Sequence, residues 1–214
     1  MRLTLPRVIA LVIFPAVVTM GCHNRRVRPS EGDNVANPPV NEKFLYEKLC
    51  DGGNAASCYI LGNIYRNGDG VEKDLARAAL FFQKACDGDI AEGCTNLGVL
   101  YQKGKSVARD PVRATLLYQK SCAGGDINGC FNLGVCYDKG DGVAKDLTRA
   151  MLFYQKACDG GDAQGCHNLG VCYDEGDGVA QDLTHAMLFY QKACEGGGAQ
   201  GCNNLARSIL RQMW

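Results

Sequence analysis

Residues 158–202 read CDGGDAQGCHNLGVCYDEGDGVAQDLTHAMLFYQKACEGGGAQGC and contain the same cysteine spacing twice. Cys158 and Cys166 enclose a glycine-rich stretch of seven residues, and Cys194 and Cys202 enclose another, 36 residues later. Regularly spaced cysteines occur in metal sites, in redox enzymes and in disulfide frameworks. The spacing alone leaves these three classes of protein open.

The cysteine pattern belongs to a longer internal repeat. Residues 129–164 and 165–200 differ at six of 36 aligned positions. The same register extends upstream through two series of cysteines spaced 36 residues apart, namely Cys86, Cys122, Cys158 and Cys194, and Cys58, Cys94, Cys130, Cys166 and Cys202. A fixed period of this length indicates an array in which each repeat is one supersecondary unit.

The first half of each period predicts an α-helix. When the second cysteine of a pair is position 0, Cys, Leu, Gly and Tyr fall at positions 0, 3, 4 and 7, which share one helical face. A glycine inside a helix costs about 1 kcal/mol relative to alanine. Its recurrence at position 4 therefore predicts that a neighbouring backbone packs closely there. These glycines are Gly62, Gly98, Gly134 and Gly170.

A second helix follows a glycine-containing turn in each period. It begins at an aspartate suited to capping a helix N-terminus, and it ends at a cysteine followed by an acidic residue and glycine, with Ala123 replacing the acidic residue once. The capping aspartates are Asp74, Asp110, Asp146 and Asp182. Pro111 lies in the first turn of one such helix, where proline is tolerated.

The motif LGxxYxxGxGVxxDxxxAxxxYxKA, flanked by Cys-x7-Cys, resembles the Sel-like repeat family in its cysteine-rich bacterial branch. The resemblance covers residues 41–214. It implies an all-α, right-handed α/α solenoid, related to tetratricopeptide repeats, with a half repeat, four full repeats and a half repeat. It also implies that the protein binds proteins or peptides and does not transform a substrate.

Ten of the thirteen cysteines form five pairs at a spacing of eight, each joining the end of one helix to the start of the next. Small neighbouring residues would let the helices approach to the ~5.5–6 Å Cα separation that a disulfide needs. The predicted disulfides are Cys50–Cys58, Cys86–Cys94, Cys122–Cys130, Cys158–Cys166 and Cys194–Cys202. Cys136 and Cys172 take the position that Leu100 and Ile64 hold in other repeats, so we expect buried free thiols there.

A metal site is a weaker interpretation of the cysteines. The sequence has no CxxC motif, and its three histidines are His23, His167 and His185. Cysteines on successive turns of a solenoid do not easily converge on a tetrahedral zinc site. We therefore expect neither a metal nor another cofactor.

The N-terminal residues 1–22 predict export. A short basic start precedes an apolar run over residues 8–18, which is too short to span a bilayer and is typical of a signal peptide. The run ends at Gly21-Cys22, which resembles a lipobox, so Cys22 is a predicted lipidation site. Residues 23–40 are polar, contain three prolines and predict a flexible linker. The sequence thus predicts a periplasmic, membrane-anchored lipoprotein or a secreted protein, with membrane contact through the N-terminal lipid only.

Net charge and sequence motifs limit the function classes that remain. Lys plus Arg and Asp plus Glu both number 23, and no basic cluster lies in the repeats, so we expect no nucleic-acid partner.

Some cysteine-rich relatives have been described as penicillin-binding proteins or β-lactamases, which would need a Ser-x-x-Lys motif. None of the five serines has lysine three residues later. We expect no catalytic residue and keep a β-lactamase or penicillin-binding enzyme as the alternative to a binding scaffold.

The first helix of each repeat also predicts a binding surface. Positions 1, 5 and 8 share a face opposite the Leu/Tyr stripe, and positions 1 and 8 vary between repeats. By resemblance to tetratricopeptide arrays, this helix would line a concave face that holds a protein or peptide. The predicted partner-binding residues are Tyr59, Thr95, Phe131, His167, Arg66, Gln102, Asp138 and Asp174. Because they face away from the stripe, their truncation should cost little stability; drift at solvent-facing positions is the alternative. The recurring asparagines at position 2, namely Asn96, Asn132, Asn168 and Asn204, are expected to bond adjacent backbone.

Overall fold

The computed structural model describes residues 40–212, which form ten α-helices joined by short turns. The helices are α1 (Val40–Asp51), α2 (Ala55–Asn67), α3 (Leu75–Asp87), α4 (Ala91–Lys103), α5 (Pro111–Ala123), α6 (Ile127–Lys139), α7 (Leu147–Asp159), α8 (Ala163–Glu175), α9 (Leu183–Glu195) and α10 (Ala199–Gln212). The predicted all-α array of helix-turn-helix repeats is confirmed. The predicted signal peptide, Cys22 and nearly all of the predicted linker lie outside the described residues. Over residues 40–212, every helix is too short or too polar to cross a bilayer.

Local chemistry explains where the helices begin and end. The capping aspartates accept hydrogen bonds from backbone N–H groups of the first turn, as Asp146 does from Arg149. Helices α2, α4, α6 and α8 each end at a glycine in the left-handed region, with φ between 63° and 88°. At Gly140, for example, the backbone N–H bonds the carbonyl oxygen of Cys136. Glycine adopts this conformation without the strain that a Cβ atom would add.

The helices form two layers. Each helix packs against the next one in the chain, and even-numbered helices also contact one another, as α2–α4, α4–α6 and α8–α10 do. We call α2, α4, α6, α8 and α10 the even-helix layer. The odd-numbered helices α1, α3, α5, α7 and α9 pack behind it.

The position-4 glycines accommodate aromatic rings of the following helix. A Cβ atom on Gly134 would lie 2.7 Å from Cδ1 of Tyr154, and one on Gly170 would lie 2.6 Å from Cδ1 of Tyr190. The predicted close backbone is also present at these two glycines, since the same Cβ atoms would lie 3.3 Å from the carbonyl oxygen of Ala150 and 3.2 Å from that of Ala186, but the nearest group is a ring. The rings in question, Phe82, Tyr118, Tyr154 and Tyr190, are at most 1% exposed.

Five disulfides connect the array, each between an odd-numbered helix and the next even-numbered one. They join the five cysteine pairs named above, with Cα–Cα distances of 4.5 to 4.8 Å, which is shorter than expected. Small residues permit this approach: a Cβ on Gly165 would lie 2.8 Å from that of Ala157. Cys136 and Cys172 are free and buried. Burial raises the pKa of both thiols, for Cys172 to about 11.

Candidate functional site

Three of the position-1 residues are half-buried. The rings of Tyr59, Phe131 and His167 tilt against the rings at the centre of the following odd helix. Their centroids lie 6.1 Å from Phe82, 6.0 Å from Tyr154 and 5.8 Å from Tyr190, respectively. The expectation that they face away from the core was wrong, because each extends the packing of a buried ring.

Thr95, the fourth of these residues, is buried with 7% exposure. Its hydroxyl lies 2.6 Å from Oγ of Ser121 and also bonds Asp126. Ser121 is itself fully buried and bonds the carbonyl oxygen of Ala91 at 2.8 Å. Thr95 thus belongs to a closed polar cluster between α4 and α5, which leaves little of its side chain accessible to a partner.

The position-8 residues bond the same central rings. Tyr118 donates to Oε1 of Gln102 at 2.9 Å, and Tyr154 donates to Asp138 at 3.2 Å. Tyr190 donates to Asp174, also at 3.2 Å. Position 8 therefore supplies an acceptor for a buried hydroxyl, which accounts for part of the variation that suggested binding.

In the first repeat, the central ring has no hydroxyl and the position-8 residue is not an acceptor. Its central ring is Phe82, which has no hydroxyl, and its position-8 residue is Arg66, which cannot accept a hydrogen bond. The Arg66 guanidinium lies 5.8 Å from the Phe82 centroid and donates to Asn96 at 3.0 Å. The sequence shows both changes, from tyrosine to Phe82 and from an acceptor to Arg66. Their connection becomes clear only when the contact between the two side chains is known.

The position-2 asparagines bond side chains of the even-helix layer. Asn204 bonds Nε2 of His167 at 3.1 Å, and Asn168 lies 3.3 Å from Nδ1 of the same ring. The imidazole of His167 is thus held between two asparagine side chains. With the Arg66–Asn96 bond, these contacts show that the expectation of bonding to backbone was wrong for Asn96, Asn168 and Asn204.

Two adjoining pockets lie along α8 and α10 and share Asn204 and Arg207. Val171, Asp174 and Arg211 line one of them, and His167 lines the other. We call the two pockets together the α8–α10 groove. Tyr59, Arg66, Gln102, Phe131 and Asp138 belong to other repeats of the same layer and do not line it.

The charges of the α8–α10 groove come from both helices. Nη1 of Arg211 lies 3.4 Å from Oδ1 of Asp174, whose other oxygen accepts from Tyr190. Arg207 is exposed, and it forms no ion pair within residues 40–212. Sequence reasoning missed Arg207, although position 5 changes from Val171 in the preceding repeat to Arg207 here. That switch from an apolar residue to a cation was the available signal.

Most of the serines within residues 40–212 are buried. Ser57, Ser121 and Ser208 are 0 to 5% exposed, which leaves Ser106 as the exposed serine of residues 40–212. His185 bonds Asp182 at 2.7 Å and stacks on Tyr173 at the surface. Within the described part of the chain, no three His, Cys, Asp or Glu residues cluster as a metal site would require.

Comparisons with known proteins agree with the architecture. The family model of the Sel1 repeat matches residues 55–89, 91–126, 127–162 and 163–198. No curated protein matches the chain.

Solved structures of bacterial proteins resemble the fold. A protective antigen of uropathogenic Escherichia coli, c5321, is described as displaying an SLR fold; it is 30% identical, with a TM-score of 0.74 over 76% of this chain and 35% of the antigen. Helicobacter pylori cysteine rich protein B is 32% identical, with a TM-score of 0.51 over 62% of this chain and 96% of that protein. The Pseudomonas aeruginosa immunity protein Pa5087 is 26% identical, with a TM-score of 0.51 over 75% of this chain and 60% of that protein. The chain thus spans about a third of the antigen.

Proposed function

Since the chain belongs to the Sel1 repeat family, we propose that it is a non-enzymatic scaffold that binds a protein or peptide in the α8–α10 groove. The observation that carries this proposal is Arg207, an exposed cation without an ion-pair partner in the described chain, beside Asn204 and His167. A cation and an amide on one helical face are groups that recognise carboxylates and peptide bonds.

Position and packing favour this groove over the rest of the even-helix layer. Thr95 is closed off, and Tyr59 and Phe131 are partly used in packing the core. In α10, by contrast, Asn203, Ala206 and Arg207 are exposed beside the groove. Two of the similar structures are named as a protective antigen and an immunity protein, and neither name assigns a reaction.

The five disulfides indicate an oxidising, extracytoplasmic compartment. We further propose that a lipid on Cys22 anchors the array to a membrane of that compartment. Labelled palmitate should enter the wild-type protein and should not enter a Cys22→Ser variant. Equal labelling of both proteins would refute the anchor and leave the groove unaffected.

The groove is tested with an Ala206→Glu/Arg207→Glu variant, which places two carboxylates on the exposed face of α10. We expect a partner that cross-links to the wild-type protein in envelope extracts to be lost, while the melting temperature stays unchanged. The matched control is Ala76→Glu/Arg77→Glu, because it alters an exposed Ala-Arg pair on α3. Recovery of the same partner by both variants would refute the groove as the binding site.

A further inference from the structure

The odd-numbered helices carry a row of exposed apolar side chains. The same position in each of the five helices holds Phe44, Leu80, Leu116, Leu152 and Leu188, which are 53 to 67% exposed. We call these five residues the leucine row. Neighbouring positions have diverged between α3 and α5, as Ala76/Val112 and Ala79/Thr115 show, but the leucine has not changed. Exposed apolar side chains that recur on the same face of successive helices point to an interaction surface.

A second row runs beside the first. Four residues after each member of the leucine row lies an exposed lysine, and the two side chains share a helical face because they are one turn apart. The lysine row consists of Lys48, Lys84, Lys120, Lys156 and Lys192. Nζ of Lys156 and Nζ of Lys192 lie 5.5 Å and 5.4 Å from the centroids of Phe153 and Phe189, respectively.

Acidic residues lie at the edge of this face. Lys84 pairs with Asp51 at 3.1 Å, and Lys120 pairs with Asp89 at 3.1 Å. Asp87, Asp159 and Glu195 end their helices, three residues beyond the lysines, and each accepts a bond of 2.8 to 2.9 Å from a glutamine of its own helix. Lys156 and Lys192 form no ion pair within residues 40–212, so the row keeps its cationic character towards α9.

We propose that this face, the leucine row together with the lysine row, rests on the surface of an anionic lipid bilayer. Apolar side chains beside cations are typical of elements that lie in the membrane interface, with the apolar groups at the headgroup–acyl boundary. A lysine near an anionic surface is attracted to it electrostatically. A bilayer also presents the same chemistry at every point, so it matches a surface on which a large apolar residue and a lysine recur in each of the five odd-numbered helices.

A weak contact between this face and the bilayer is sufficient to orient the array. The predicted lipid on Cys22 and the linker of residues 23–40 would keep the array close to the membrane, at an effective concentration on the order of millimolar. With the odd-numbered helices on the lipid, the even-helix layer and its α8–α10 groove would face away from it. The orientation does not depend on what the groove binds.

Hydroxyl-radical oxidation of the leucine side chains tests the proposal on the full chain. The protein is bound through its own N-terminal segment to vesicles of phosphatidylcholine, with or without phosphatidylglycerol. We expect Leu80, Leu116, Leu152 and Leu188 to be protected only on the phosphatidylglycerol vesicles. Val171 and Leu210, on the even-helix layer, should be oxidised equally on both, which separates orientation from anchoring.

A Lys84→Gln/Lys156→Gln/Lys192→Gln variant tests the lysine row. These positions are exposed and glutamine is a good helix former, so the helix content should be kept, and loss of the exposed Lys84–Asp51 pair and of the lysine–ring contacts should lower the melting temperature only slightly. We expect the protection of the leucines to be lost. Equal oxidation of the wild-type leucines on both vesicles would overturn the proposal. So would protection that appears without vesicles and rises with protein concentration, because a second copy would then cover the row.

Discussion

The hydroxyl of Tyr154 donates a hydrogen bond to Asp138 over 3.2 Å, from the centre of α7 to the last turn of α6. The residues at the same two positions bond in the next repeat as Tyr190 and Asp174. The tyrosines are 1% exposed, so their side chains are shielded from water. Position 8 of the even-numbered helices therefore supports the fold, and a change there affects both stability and any surface it shares.

A double-mutant cycle on this pair measures the bond. Asp138→Ala leaves the buried Tyr154 hydroxyl without its acceptor, which should lower the free energy of unfolding by about 1–3 kcal/mol. Tyr154→Phe removes the donor as well, so the double variant should lose clearly less than the sum of the two single variants. Urea unfolding of the four proteins gives the coupling energy. Additive losses would show that the two groups do not interact in solution.

Buried tyrosines also predict the response to alkaline pH. Burial, followed by the nearby Asp174 carboxylate, raises the pKa of Tyr190 to about 12, and burial raises the pKa of Tyr118 and Tyr154 as well. An unfolded tyrosine titrates near ~10, so the folded state keeps these hydroxyls protonated. Their stabilisation is complete below that pH and is lost as the pH rises through the folded pKa values.

Absorbance of the phenolate measures this titration. Three of the nine tyrosines should ionise only when the protein unfolds, and the free energy of unfolding should fall steadily above pH ~10. A Tyr190→Phe variant is the control, because it should lose one late-titrating group and part of the alkaline dependence. Simple ionisation of all nine groups near the ordinary pKa would contradict the burial of these rings.

The period and the helix caps were predictable from the sequence because they are local. Asp146, for example, caps α7 through bonds to residues within the next turn, so the side chain and its partners lie in one short segment. The exposure of Tyr59 and Phe131 was not predictable in the same way. Whether a helical face is exposed depends on where the ring of the following helix lies. Phe82 packs against Tyr59, and Tyr154 packs against Phe131.

The closed cluster around Thr95 illustrates the same limit. Ser121 occupies a position that holds Ala85, Ala157 and Ala193 in other repeats, so two polar residues appear together in the second repeat. Each change alone is consistent with drift at the surface. Only the 2.6 Å contact between their hydroxyls shows that the two changes form one buried hydrogen-bonded unit.

The contact between glycine and ring predicts the effect of a single methyl group. Gly134→Ala should lower the free energy of unfolding by about 1–3 kcal/mol, because the added Cβ would lie 2.7 Å from the Tyr154 ring. Helix propensity alone would raise the free energy of unfolding of this variant by about 1 kcal/mol. The matched control is Ala206→Gly in α10, where the residue is exposed and only the propensity loss applies. A stabilised Gly134→Ala protein would show that the ring moves aside freely.

The cysteines predict a specific pattern of thiol reactivity. Cys136 and Cys172 are buried with raised pKa values, so neither should react with an aromatic disulfide reagent at pH 8 until the protein unfolds. Peptide mapping should link Cys158 to Cys166. Replacing this pair by serine should cost about 2–3 kcal/mol, by the chain-entropy estimate for a short loop. Rapid labelling of two thiols in the folded protein would contradict their burial.

The turn between α4 and α5 predicts a stabilising substitution. Ser106 has φ of 63°, whereas Gly70, Gly142 and Gly178 occupy the corresponding position in the other repeats with φ between 70° and 79°. The left-handed conformation costs a residue with a Cβ atom about 1–2 kcal/mol. Ser106→Gly should therefore raise the free energy of unfolding, by about 1 kcal/mol once the greater freedom of unfolded glycine is subtracted.

The reverse change at Gly142 is the matched test of this explanation. A Cβ on Gly142 would come into collision with the carbonyl group of Pro111, so Gly142→Ser should be destabilising by more than Ser106→Gly is stabilising. Thermal and urea unfolding of the two variants and of the protein that combines them give the three values. Because the turns lie in successive repeats, their effects should add unless the repeats are coupled through α5. An unchanged stability in Ser106→Gly would mean that the strain at this turn is relieved in solution by a different backbone conformation.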